Sequence, residues 1–203
     1  MSDYNIRDVD YRYIREKIAY IPQNIELFTG TIFENLRVGT PNATYEQVIS
    51  ACKKSGADEF INKLPNTYWS YIEEGGSNLS GGERQRIAIA RSLLKQANIY
   101  IFDEATSNLD SFSELKIQNL IFNTIKDKTV IIIAHRLSTI NLCDLIYFVE
   151  NGEILERGNH EELMNLGGKY ASMISIQSSN ALKSNKIEKV GFENSNGDEI
   201  TYG

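Results

Sequence analysis

Four short apolar runs rich in β-branched and aromatic residues fall at 18–21, 99–102, 130–134 and 145–149, and the stretches between them are long and differently patterned. Each run has the length of a buried strand. Between the second and third, Ile117, Leu120, Ile121 and Ile125 fall at i, i+3, i+4 and i+8, which is one stripe of an amphipathic helix. Strands that alternate with helices need crossover connections, so the chain is predicted to be α/β, with a mostly parallel sheet covered by helices on both faces. The longest apolar run, 130–134, is far below the roughly 18–20 residues that cross a bilayer.

Local chemistry marks several boundaries. Thr44 with Gln47, and Asn159 with Glu162, have the spacing of capping boxes at helix starts. Asn151-Gly152 suits a type I′ turn and predicts a hairpin joining 145–150 to 153–157. Helical patterns fill 32–71 and interrupt the alternation, which predicts a helical lobe over about 32–94. Beyond 177 the sequence becomes polar and rich in Ser, Asn and Lys, so 177–203 is expected to be a loosely held tail after a domain spanning 1–176. Acidic residues number 27 against 21 basic, and a net charge of -6 argues against a nucleic-acid partner. Cys52 and Cys143 sit among apolar neighbours and read as small core residues in a reducing compartment. The first residues, Met1-Ser2-Asp3-Tyr4-Asn5, have neither the basic start nor the apolar centre of a secretory signal.

Four constellations carry chemistry. Ser80-Gly81-Gly82-Glu83 opens a helical pattern; the glycines lack Cβ atoms, so an anion could approach bare N–H groups at the positive end of the helix dipole. Taken alone, the same residues could be an N-cap with a glycine turn. Asp103-Glu104 tips the apolar run at 99–102, which would place two carboxylates at the carboxyl edge of a parallel sheet, or equally a solvated acidic turn. His135 directly follows the run at 130–134, and Gln23 follows Ile21-Pro22. In isolation each of these would be an ordinary polar residue.

Their order along the chain is what makes them specific: from about residue 5 to residue 176, the sequence resembles the ATPase domain of ABC transporters. The resemblance implies a fold like that of the P-loop NTPases with a helical signature subdomain, and ATP and Mg²⁺ as ligands. It implies that Ser80, Gly81, Gly82 and Glu83 form the signature that contacts ATP held by the opposite subunit of a head-to-tail dimer. Asp103 and Gln23 would hold Mg²⁺, Glu104 would act on the attacking water, and His135 would be the switch histidine. Ser107-Asn108-Leu109-Asp110 is similar to the D-loop at the dimer interface, with Asn108 where alanine is commoner. Glu83 stands where glutamine is frequent, a conservative variation. His160, at a helix start, receives no catalytic role.

Phe28-Thr29-Gly30-Thr31-Ile32-Phe33-Glu34-Asn35-Leu36, Glu73-Glu74-Gly75-Gly76-Ser77 and His135-Arg136-Leu137-Ser138-Thr139 look like exporters, most nearly bacterial exporters of bacteriocins and other peptides. That implies transmembrane domains as partners and a position at the cytoplasmic face of a bacterial cell membrane. The competing readings are a soluble ABC ATPase without a transport role and a catalytically incompetent interaction fragment. The second gains weight from one absence: no G-x-x-x-x-G-K-[ST] occurs, and the single Gly168-Lys169 pair is followed by Tyr170. In the family that phosphate loop precedes the position of Gln23. The chain is therefore expected to be a fragment without the N-terminal strands, unable to hydrolyse ATP by itself.

Overall fold

The computed structural model describes residues 5–104, 127–134 and 137–187, together with 114, 115, 118, 119, 123 and 125. The D-loop motif 107–110, His135 and most of the helical stripe at 117–121 lie outside the described residues. The chain divides into two compact units, Met1–Ala134 and His135–Gly203.

The first unit is built on three parallel strands in the order β1-β4-β5: β1 (Ile18–Ile21), β4 (Ile99–Asp103) and β5 (Thr129–Ile133). β4 is central. Ile18 pairs with Ile99 and Ile21 with Phe102 on one side, while Ile99 pairs with Thr129 and Asp103 with Ile133 on the other. Strand periodicity puts Ala19, Ile21, Tyr100 and Phe102 on one face, and all four are buried with Ala88, Ile89 and Ala97. Residues of alternate parity point the other way, and there Tyr20, Ile131 and Ile133 remain 54%, 48% and 48% exposed. The sheet is thus α/β and parallel as expected, but among the described residues only one face is closed. The periodicity of strands with no polar side does not tell which face a helix will take.

Between β1 and β4 the chain forms a helical lobe. Helix α1 (Tyr11–Lys17) leads into β1; α2 (Ile32–Arg37), α3 (Tyr45–Ser55), α4 (Asp58–Ile61) and α5 (Gly81–Leu94) follow, with a short antiparallel pair β2 (Gly30–Thr31) and β3 (Tyr71–Ile72). The lobe has its own core of Leu36, Val48, Cys52, Ala57, Ile61 and Ile72, each fully buried. Burying each large aliphatic side chain contributes about 1.5–3 kcal/mol. Helix α5 belongs to both cores: Ile87 and Ala90 pack into the lobe, and Ala88 and Ile89 pack onto the sheet. Whatever moves α5 therefore moves against both.

Capping boxes start α2, α3 and α5, with Thr31–Glu34, Thr44–Gln47 and Ser80–Glu83 as their partners. In the second unit Asn159 and Glu162 cap the helix His160–Leu166 in the same way. That unit also holds the antiparallel pair β6 (Ile146–Glu150) and β7 (Glu153–Gly158), joined through Asn151 and Gly152 at φ of 53° and 82°. Both positive angles are those of the type I′ turn read from the sequence. A helix over Lys169–Ile187 follows, crossing the change of texture at residue 177. Its first amides, at Lys169 and Tyr170, donate to the two carboxylate oxygens of Glu156, an anion placed on a helix N-terminus.

Candidate functional site

Parallel strands send their carboxyl ends to one edge of the sheet, so the residues that follow β1 and β4 meet there. Gln23 leaves β1 and donates its side-chain amide to Glu104 Oε2 at 2.5 Å. Glu104 sits just past β4 at φ of 47°, a left-handed conformation uncommon for a residue with a Cβ, and its N–H donates to the carbonyl of Ile133 at 3.0 Å. A sharp, backbone-anchored turn therefore aims the carboxylate. Asp103, the last residue of β4, accepts a hydrogen bond from the Tyr20 hydroxyl at 2.7 Å. Tyr20 pairs with Ile101 in register, so it shares a face with Asp103 two residues further on. The neighbouring carboxylate raises the Tyr20 phenol above its ordinary value, mainly because the hydroxyl is held as a donor.

The donor set fits a hard divalent cation. Asp103 keeps its second oxygen, and Gln23, with its amide nitrogen on Glu104, keeps its carbonyl; both are the oxygen ligands that Mg²⁺ takes, with water completing the shell. Among the described residues no cluster of three or more His, Cys, Asp or Glu side chains could hold a metal alone. Much of any such ion's coordination would then come from water or a bound phosphate.

Ser80 is the N-cap of α5 and stands before Gly81 and Gly82. Its N–H and its hydroxyl both donate to Glu83 Oε2 at 2.8 Å, and Glu83 N–H returns a bond to the Ser80 oxygen at 3.3 Å. The box stabilises the helix start, and it also places a carboxylate charge on the donors an incoming anion would seek. That consequence of Glu83 was not legible in the motif. Arg84 fastens the preceding loop, donating to the carbonyls of Gly76 at 3.3 Å and Leu79 at 2.7 Å. A cleft of about 290 Å³ is lined by Gln23, Asn24, Ile25, Gly75, Gly81, Arg84 and Gln85, so the residue that holds Glu104 and the opening of α5 border one space.

Of the residues singled out by the sequence, Gln23, Asp103 and Glu104 meet at one sheet edge, and Ser80, Gly81, Gly82 and Glu83 form one helix start. His160 bonds through Nδ1 to the Tyr170 hydroxyl at 2.8 Å, within the second unit's packing. Tyr20 and Arg84 were not singled out. The alternation of β1 against β4 could have found Tyr20, once the pairing of those strands was known.

Comparison with known proteins follows the same lines. A family model described as ABC transporter matches residues 2–107, just over half of the chain. ABC transporter B family member 4 of Dictyostelium discoideum is 47% identical over 177 residues, which is 87% of this chain and 23% of that protein. The ATP-dependent lipid A-core flippase of Legionella pneumophila (strain Paris) is 45% identical over 172 residues, 85% of this chain and 29% of that one. The solved structure of a bacterial Atm1-family ABC exporter with ATP bound superposes with a TM-score of 0.82 at 39% identity, over 85% of this chain and 30% of that chain. The chain therefore spans less than a third of the length of these relatives.

Proposed function

The chain belongs to the ABC transporter family, and from that premise we propose that it is part of the ATP-hydrolysing motor of an exporter, placed at the cytoplasmic face of a membrane. The observation that carries this reading is the bond between Gln23 and Glu104 beside Asp103, at the carboxyl edge of a parallel sheet. Glu104 takes the proton of the attacking water, and Gln23 fixes the carboxylate from which it acts. Asp103 and the Gln23 carbonyl would hold Mg²⁺, which would supply charge neutralisation at the phosphates. Ser80, Gly81 and Gly82 offer hydroxyl and N–H donors at the helix start to ATP held by a second, head-to-tail subunit. On the resemblance alone, His135 takes the role of the switch histidine and Ser107-Asn108-Leu109-Asp110 that of the D-loop.

The transmembrane part of the exporter docks on the helical lobe. What supports this is a set of exposed rings there: Phe28, Trp69 and Tyr71 are 54%, 57% and 60% exposed. Trp69 packs on Phe33 with ring centroids 5.0 Å apart, and Tyr71 lies in the ribbon that pairs Gly30–Thr31 with Tyr71–Ile72. Large aromatic side chains held at a surface are the usual anchors of a protein interface. The cargo we propose is a peptide or bacteriocin, on the chain's resemblance among exporters to those of bacteriocins and other peptides. Co-purification tests the assembly: the chain, mixed with a complete exporter subunit, should pair with it in the presence of ATP and Mg²⁺ and separate when ATP is withdrawn. Pairing indifferent to nucleotide would favour the interaction-fragment reading instead.

A further inference from the structure

The lobe spends a buried amide on holding an exposed ring. Asn35, on α2, is 1% exposed, yet all three of its side-chain bonds go to the segment that presents Phe28. The Phe28 N–H donates to Asn35 Oδ1 at 2.8 Å, and Asn35 Nδ2 donates to the carbonyls of Phe28 at 2.7 Å and Thr31 at 3.1 Å. The side-chain amide thus pairs with both main-chain groups of Phe28, as a neighbouring strand would. The ring itself, locked at its backbone, stays more than half exposed.

A second connection runs from α5. The Arg91 guanidinium donates from Nε to the carbonyl of Asn35 at 3.1 Å and from Nη1 to the carbonyl of Glu26 at 3.3 Å. Its remaining terminal nitrogen is buried without an acceptor. A cation drawn largely out of water and bonded to two carbonyls brings in substantial desolvation, which is retained where it fixes relative position. Arg91 grips both ends of the 26–35 segment, and Asn35 grips its middle.

We propose that Arg91 and Asn35 are positioning residues: they form a strap through which α5, the helix that Ser80 opens, sets where Phe28 stands on the lobe surface. Any displacement of α5 would be carried by the guanidinium to the carbonyls of Glu26 and Asn35, and by the Asn35 amide to Phe28. A rigidly presented ring loses little freedom on contact, so its position is transmitted rather than absorbed. The use of the strap rests on the docking surface proposed above, but its existence does not.

Amide hydrogen exchange of the full 203-residue chain, read residue by residue with no partner present, tests it. Arg91 does not bond Phe28, so Arg91→Met should speed exchange at the Phe28 amide about tenfold only if the strap operates. Val48 and Cys52, in the same core but off the strap, should change less than about twofold. In an Asn35→Ser background Arg91→Met should add nothing further at Phe28. Arg91→Lys, which keeps the charge but cannot span two carbonyls, should give an intermediate rate, and it serves in place of Arg91→Met if that variant does not fold. An unchanged Phe28 amide, equal acceleration at Phe28 and Val48, or additive effects of the two substitutions would each overturn the strap. The docking reading fails separately, if Phe28→Ala leaves assembly with an exporter's transmembrane part unaltered.

Discussion

The side-chain amide of Gln23 and the carboxylate of Glu104 lie 2.5 Å apart, although 81 residues separate them in the chain. That bond ties the loop leading into the helical lobe to the tip of the central strand. A change at the carboxylate is therefore felt where the lobe begins.

Glu104→Gln separates the two roles of this residue. Glutamine can still accept from Gln23 but cannot take a proton, so in an intact motor that also supplies the phosphate loop, hydrolysis at the site Glu104 serves should fall at least 100-fold while ATP-dependent pairing persists. Single-turnover assays beside a pairing assay would show it, and a hydrolysis rate within a few-fold of wild type would remove Glu104 from the reaction.

The charge of Glu83 offers a gain rather than a loss. Glu83→Gln keeps an acceptor for the Ser80 N–H and hydroxyl and removes a negative charge from the place where phosphate is expected. ATP engagement in trans should strengthen by about 0.5–1 kcal/mol, a few-fold in affinity, with folding stability little changed. Titration of nucleotide into the mixed pair measures it, and weaker engagement would contradict the placement of phosphate at Ser80.

Capping boxes should be worth their usual amount. Thr44→Ala at the start of α3 and Asn159→Ala in the second unit should each cost about 1 kcal/mol in urea unfolding. Because the residues lie in different units, the two losses should register in separate transitions if the units unfold independently.

The lobe should weaken in alkali. Burial pushes the Cys52 thiol up to about 12, and burial followed by the bond to Asp58 raises the Tyr68 phenol. Both groups hold their protons more tightly folded than unfolded. The stability they lend is whole below the unfolded thiol value of about 8.5 and is lost as pH rises toward 12. Urea midpoints should fall across that window, and Cys52→Ala should make the fall shallower between about pH 9 and 10.

What the sequence made legible was local. The capping boxes at Thr44 and Asn159 and the turn at Asn151-Gly152 each depend on residues within a few positions of one another, and each is present. The parallel sheet followed from alternation alone. Tyr20 on Asp103 and Arg91 on Asn35 depend on strand register and helix packing across 83 and 56 residues, which no local pattern encodes. The exposure of Tyr20, Ile131 and Ile133 was hidden for a related reason: a strand of a parallel sheet reads as apolar on both sides, whichever side a helix covers. Gln23 and Glu104 could be named from motif order, but their direct contact could not.

The Ser80 helix start of this chain is proposed to serve ATP bound by a second subunit. That role is tested by adding the chain to a complete ABC subunit whose own signature serine has been replaced and measuring ATP hydrolysis. Hydrolysis should be absent from either protein alone, appear on mixing, and disappear when the added chain carries Ser80→Arg. No activity on mixing, or activity that survives Ser80→Arg, would contradict it.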